Sequence, residues 1–88
     1  MAKLTKQEIW NLIEKEMARA KKKHPVWPQH IVSRAAIVSE EAGELVREAL
    51  LIKYEAPDSP ADQEAQLERL KLEAVQTAVT AIRFLENL

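Results

Sequence analysis

Proline occurs at only four positions, 25, 28, 57 and 60, and these two pairs cut the chain into three long segments with nothing in them that forbids a helix. Each proline lacks an N–H and restricts the residue before it, so His24-Pro25-Val26-Trp27-Pro28 and Pro57-Asp58-Ser59-Pro60 cannot be helix interior. The segments between them contain a single glycine, Gly43, and Ala, Leu, Glu, Lys and Arg make up just over half of the chain. A sandwich or barrel needs Gly-rich turns that this sequence does not have, so the fold class is all-α.

Local signals mark the helix ends. Thr5 and Glu8 have capping-box spacing, and Ile9, Trp10, Ile13, Met17 and Ala20 follow at helical intervals to give one apolar face. Lys21-Lys22-Lys23 closes this first helix, where cations suit the negative end of the dipole. Pro28 is suited to the first position of a second helix, expected over about 29–54 with a seam of Ile31, Ala35, Val38, Ala42, Leu45, Ala49 and Ile52. Ser59 and Pro60 are suited to cap and open a third helix that runs to about Glu86. Its apolar residues cover more than half of its circumference, so it needs partners on several sides. One short chain barely supplies them. The expected architecture is an antiparallel helical hairpin plus an N-terminal helix, one domain over 1–88, assembling as a homodimer or tetramer.

Composition excludes several functions. With 88 residues there is room for one core only, and with no cysteine there is no disulfide scaffold, thiol catalysis or iron–sulfur cluster. No apolar run approaches the ~18 residues of a membrane span, and the N-terminal segment has no apolar stretch of a signal peptide, so a cytoplasmic location without membrane contact is expected. The net charge of −1 gives no footprint for nucleic acid. That charge is split, however. Residues 1–34 carry eight Lys/Arg against three Glu, and 35–88 carry five against eleven. A basic segment folded on an acidic one suits a metal–phosphate ligand, or simple intramolecular pairing.

Two polar stripes carry the chemistry. Arg69, Glu73, Gln76, Thr80 and Arg83 fall within one arc of about 80° on the third helix. Glu41, Glu44 and Glu48 share a face of the second, with Glu40 one turn from Glu44. Carboxylates this close on a helix repel unless a cation lies among them. With Pro57 at the apex, Glu41 lies sixteen residues before it and Glu73 sixteen after. Both then sit about 24 Å down antiparallel helices, at the same height. Glu44 and Gln76 fall within about one turn of that level, so three carboxylates and an amide oxygen can converge. Such a set selects a hard cation, Mg2+ or Mn2+. The plainer reading of each stripe is a solvated polar edge.

Ser39-Glu40-Glu41-Ala42-Gly43-Glu44-Leu45 followed by Glu73-Ala74-Val75-Gln76 resembles the MazG-like all-α nucleotide pyrophosphohydrolases, whose pattern is Glu-Glu-x-x-Glu on one helix and Glu-x-x-Asp on the next. The resemblance covers about residues 30–88, and the related phosphoribosyl-ATP pyrophosphohydrolases share the pattern. It implies Mg2+ ligands at Glu41, Glu44 and Glu73, with Glu40 a further ligand or the base that orients the attacking water. It also implies a helical dimer or tetramer that hydrolyses a nucleoside triphosphate to monophosphate and pyrophosphate, clearing non-standard nucleotides. One position departs from the pattern. Gln76 stands where the family has Asp, one charge fewer with an oxygen retained. The alternative reading follows from it: a non-catalytic helical nucleotide-binding or interaction module with a degenerate metal site.

Other residues have two readings each. Lys22 and Lys23 suit a solvated helix end or phosphate contacts; Trp27 suits core filling or stacking on a base; Arg83 suits an acidic neighbour or substrate phosphate. These four are the candidate substrate-binding residues. His24 and His30, six apart around a proline loop, are a poor metal pair. Gly43 in mid-helix costs roughly 1 kcal/mol against Ala, and with Ala36 seven residues earlier it suggests close helix packing, or else room for a ligand.

Overall fold

The computed structural model describes residues 3–88 and contains three helices, α1 (Lys6–Lys23), α2 (Ile31–Tyr54) and α3 (Pro60–Glu86), with no strand among the described residues. Met1 and Ala2, which belong to the expected 1–88 domain and to the segment read for a leader, lie outside the described residues.

Two of the three helix starts follow the sequence expectation. Thr5 caps α1 with the reciprocal Glu8 bond, and Ser59 caps α3 ahead of Pro60. Removing the latter cap by Ser59→Ala should cost about 1 kcal/mol, measured as a shift in the urea midpoint of helical circular dichroism. The third start differs. α2 begins at Ile31 rather than at Pro28, because His30 Nδ1 accepts the Val32 N–H at 3.2 Å and acts as the cap. The Pro28 carbonyl meanwhile accepts from Arg34 Nε at 2.6 Å, which holds the proline in the loop.

α3 is the central element. α2 runs antiparallel to it, and α1 lies along its other side in the same direction, Leu12 near Leu72 and Lys21 paired with Glu86. α1 packs on α3 and not on α2. The two outer helices therefore diverge over α3 and leave an open cleft, walled at one end by the 24–30 loop.

The chain alone buries little. The buried residues are Ile13 and Val79 plus the polar Glu16, Gln66 and Arg83, and α2 has none in its 24 residues. Ile31, Val46, Leu50, Tyr54 and Leu85 are each more than half exposed. The α2 seam residues Ala35, Val38 and Ala42 face an apolar groove of about 510 Å³ with Ala81, Phe84 and Leu85. Gly43 has open space where a Cβ would stand, so the close packing expected of it is not found within the chain. A 10.0 kDa monomer should expose about 5,200 Å², whereas this chain exposes 6620 Å². Its radius of gyration is 14.6 Å, against about 12 Å for a compact globule of this length.

Candidate metal centre

Glu41 and Glu44 on α2 and Glu73 on α3 each offer a carboxylate oxygen, and these atoms lie within 4.8 Å of one another. The hairpin register predicted from Pro57 is responsible, since it sets Glu41 and Glu73 at one depth. Opposite oxygens on Mg2+ stand about 4.2 Å apart. The cluster's oxygens lie within a span close to that.

The electrostatics are unfavourable without a cation. Burial, then the Glu44 carboxylate, then Glu41 push the Glu73 carboxyl up to about 7. Burial and the Glu44 charge likewise raise Glu41 above its ordinary value, with Glu40 and Glu16 adding to the effect. Oε2 of Glu41 and Oε2 of Glu73 are each buried without a hydrogen-bond partner. Buried carboxylate oxygens without donors are uncommon and need an explanation. An all-oxygen donor set fits a hard divalent cation such as Mg2+ or Mn2+, which would satisfy both oxygens at once. Glu48 Oε2 is likewise buried without a hydrogen-bond partner, but it has a cation near it, Arg69 Nε at 3.6 Å, and it is not one of the three converging carboxylates.

Of the three, Glu41 lines the interhelical cleft, about 420 Å³, whose walls also include Glu40 from α2, Gln76 and Arg83 from α3, and Trp27 from the loop. Arg83 is 6% exposed and has its guanidinium over the Trp27 ring at 5.1 Å. It donates to the His24 carbonyl at 2.7 Å and to Ala20 at 3.4 Å, capping the C-terminal end of α1. Its first role is thus to hold α1 and the loop on α3. Burial lowers its pKa, opposed by Glu86. Lys22 and Lys23 are exposed at the end of α1 and are not among the cleft walls. His30 is spent on its cap.

The sequence reading missed one pair. Glu16 on α1 is 8% exposed, lines the same cleft, and is gripped by the Arg19 fork at 2.6, 2.9 and 2.7 Å. Arg19 holds the Glu16 carboxyl below its ordinary value. A signal for it existed: Glu16 falls inside the apolar face set by Ile13, Met17 and Ala20, where an unpaired acid is costly. Compared with known protein families, curated proteins and solved structures, the chain matches none of them.

Proposed function

We propose that this chain is a MazG-like, Mg2+-dependent nucleoside triphosphate pyrophosphohydrolase. The observation that carries the reading is the pair of buried carboxylate oxygens of Glu41 and Glu73 without hydrogen-bond partners, which converge with a Glu44 oxygen beside a cleft that Glu41 lines. The residue pattern Glu40-Glu41-x-x-Glu44 and Glu73-x-x-Gln76 supports it by its resemblance to that superfamily.

Glu41, Glu44 and Glu73 would hold the cation, with Gln76 as a neutral oxygen donor. A bound divalent cation neutralises phosphate charge and acidifies a coordinated water. The chain's own groups do the rest. Glu40, on the cleft wall beside Glu41, takes the proton of the attacking water. The water oxygen bonds to the first phosphorus, the bond to the bridging oxygen breaks, and pyrophosphate leaves. With Arg83 over one face of Trp27, the other face of the ring would take the nucleoside, and the guanidinium on the cleft wall would meet the phosphates. The cleft volume lies within the usual range of small-molecule sites.

The reading includes a homo-oligomer. The chain exposes about 1,400 Å² more than a monomer of its mass should, which exceeds the ~800 Å² each partner gives to a standard interface. A second copy covering the apolar α2–α3 groove would remove that excess.

The experiment is pyrophosphate release from a panel of standard and modified nucleoside triphosphates with Mg2+, repeated with EDTA. Release that requires Mg2+ and favours one base is expected. A chain that binds nucleotides yet releases no pyrophosphate with either Mg2+ or Mn2+ would be a binding module with a degenerate site.

A further inference from the structure

The wall of the cleft that carries Trp27 is fastened by side chains rather than by its own backbone. Pro25 and Pro28 have no N–H to give, and among the described residues no backbone–backbone hydrogen bond holds positions 25–28. A segment with so few bonds ordinarily opens at little cost. Here a guanidinium grips each end. Arg83 donates to the His24 carbonyl at 2.7 Å, and Arg34 Nε donates to the Pro28 carbonyl at 2.6 Å.

The two grips have different origins. Arg83 is a buried residue of α3, so it holds the start of the loop directly on the central helix. Arg34 stands in the first turn of α2. Its Nη1 also donates to the carbonyl of Asn87, the residue that caps the end of α3. One fork therefore ties the end of the loop to the end of α3, with α2 as its support. Arginine suits this task because its donors are fixed in one plane and can serve two acceptors at once.

Trp27 lies between the two grips. It precedes a proline, which confines its backbone to extended conformations. Its ring has Arg83 over one face at 5.1 Å and lines the cleft. Arg34 is not among the cleft walls, yet the carbonyl it holds belongs to the very next residue after Trp27.

We propose that Arg34 is a positioning residue for nucleotide binding: by tying the Pro28 carbonyl to the end of α3, it holds Trp27 as a fixed wall against which a base can stack. What it removes is the cost of ordering the loop when the ligand arrives. The inference rests on the nucleotide reading of the cleft and gives Arg34 no contact with substrate or cation.

The test follows binding and turnover in the whole chain. The binding probes are the α,β-methylene analogues of ATP, GTP, CTP and UTP, titrated with Mg2+ in a calorimeter. Arg34→Gln should weaken whichever analogue the native chain binds by about tenfold, the scale of a lost base–aromatic stack. KM for the matching triphosphate should rise by the same factor with kcat little changed. The Mg2+ needed for half-maximal activity should not move, because the converging carboxylates lie on α2 and α3 and not on the loop. In a Trp27→Ala background the substitution should cost little further, since the ring it positions is gone.

An equal loss in both backgrounds overturns the proposal, and so does an affinity that survives Arg34→Gln in the native background. A fall in kcat at constant KM overturns it too, being the mark of a smaller folded fraction. A native chain that binds none of the four analogues overturns the nucleotide reading and this inference with it. A second measurement needs no variant. In native protein labelled with 15N, the Arg34 Nε–H should be protected from solvent exchange. Rapid exchange there would overturn the proposal even if Arg34→Gln fails to fold.

Discussion

Glu41→Gln and Glu73→Gln should each reduce Mg2+-dependent pyrophosphate release by on the order of 10³-fold, while the metal-free variants melt at a higher temperature than the native chain at neutral pH and above. Both effects have one cause. Each carboxylate is a ligand when a cation is present and a source of repulsion when it is absent. Glu73 has the larger shift, its carboxyl raised to about 7 by burial and by Glu44. A carboxyl raised in the folded state binds its proton more tightly there than in the unfolded chain. Metal-free stability is then highest below the unfolded value near 4.5, and it falls as pH rises through about 7. Glu8 and Glu16 are shifted the opposite way, so their titration lies below that window. Melting temperature against pH should therefore decline between about pH 5 and 8 for the native chain in EDTA. In Glu73→Gln the decline should largely disappear. Saturating Mg2+ should remove it too, since the cation selects the ionised form and its affinity rises with pH. A native chain whose melting temperature rises across this range would refute the electrostatic account.

Leu85→Arg should convert the protein from an oligomer to a poorly folded monomer. In the single chain Leu85 is 65% exposed at the edge of the apolar groove. A substitution at such a site in a true monomer changes stability by no more than ~0.5 kcal/mol. If a second copy covers the groove, the same arginine is an uncompensated buried charge, which costs about 3–5 kcal/mol. Sedimentation velocity at micromolar concentration should show the native chain at twice or four times its 10.0 kDa mass. The variant should sediment at the single-chain mass, with a lower melting temperature and weaker helical dichroism. A native chain that is monomeric and fully helical would exclude the proposed assembly.

How much of this was legible in the sequence depends on the range of the interaction. Thr5, Ser59 and Pro60 set helix ends through neighbours three residues away, so their spacing sufficed. The Glu41–Glu73 meeting was legible because both helices of the hairpin have fixed rise and share one turn. The start of α2 was not, because Arg34 draws the Pro28 carbonyl outward while a histidine ring supplies the cap. Glu16 and Arg19 were missed for a different reason. Their place in the cleft depends on how α1 lies on α3, some sixty residues away in sequence, and no local pattern encodes that. Gly43 remains the reverse case: its helical cost is evident in the sequence, and no contact within the chain explains it.

The attachment of α1 to α3 alone also dictates an order of assembly during synthesis. The α2–α3 hairpin joins neighbours in sequence and closes a short loop, so it can form as soon as both helices exist. Of the three helices α1 leaves the ribosome first but docks last, because its partners Arg83 and Glu86 lie at the far end of α3. Until then Ile9, Trp10 and Ile13 have no apolar surface to meet, and a nascent chain in that condition is exposed to misassociation. The cleft comes into being only with that docking step, because α1 and the 24–30 loop supply one of its walls.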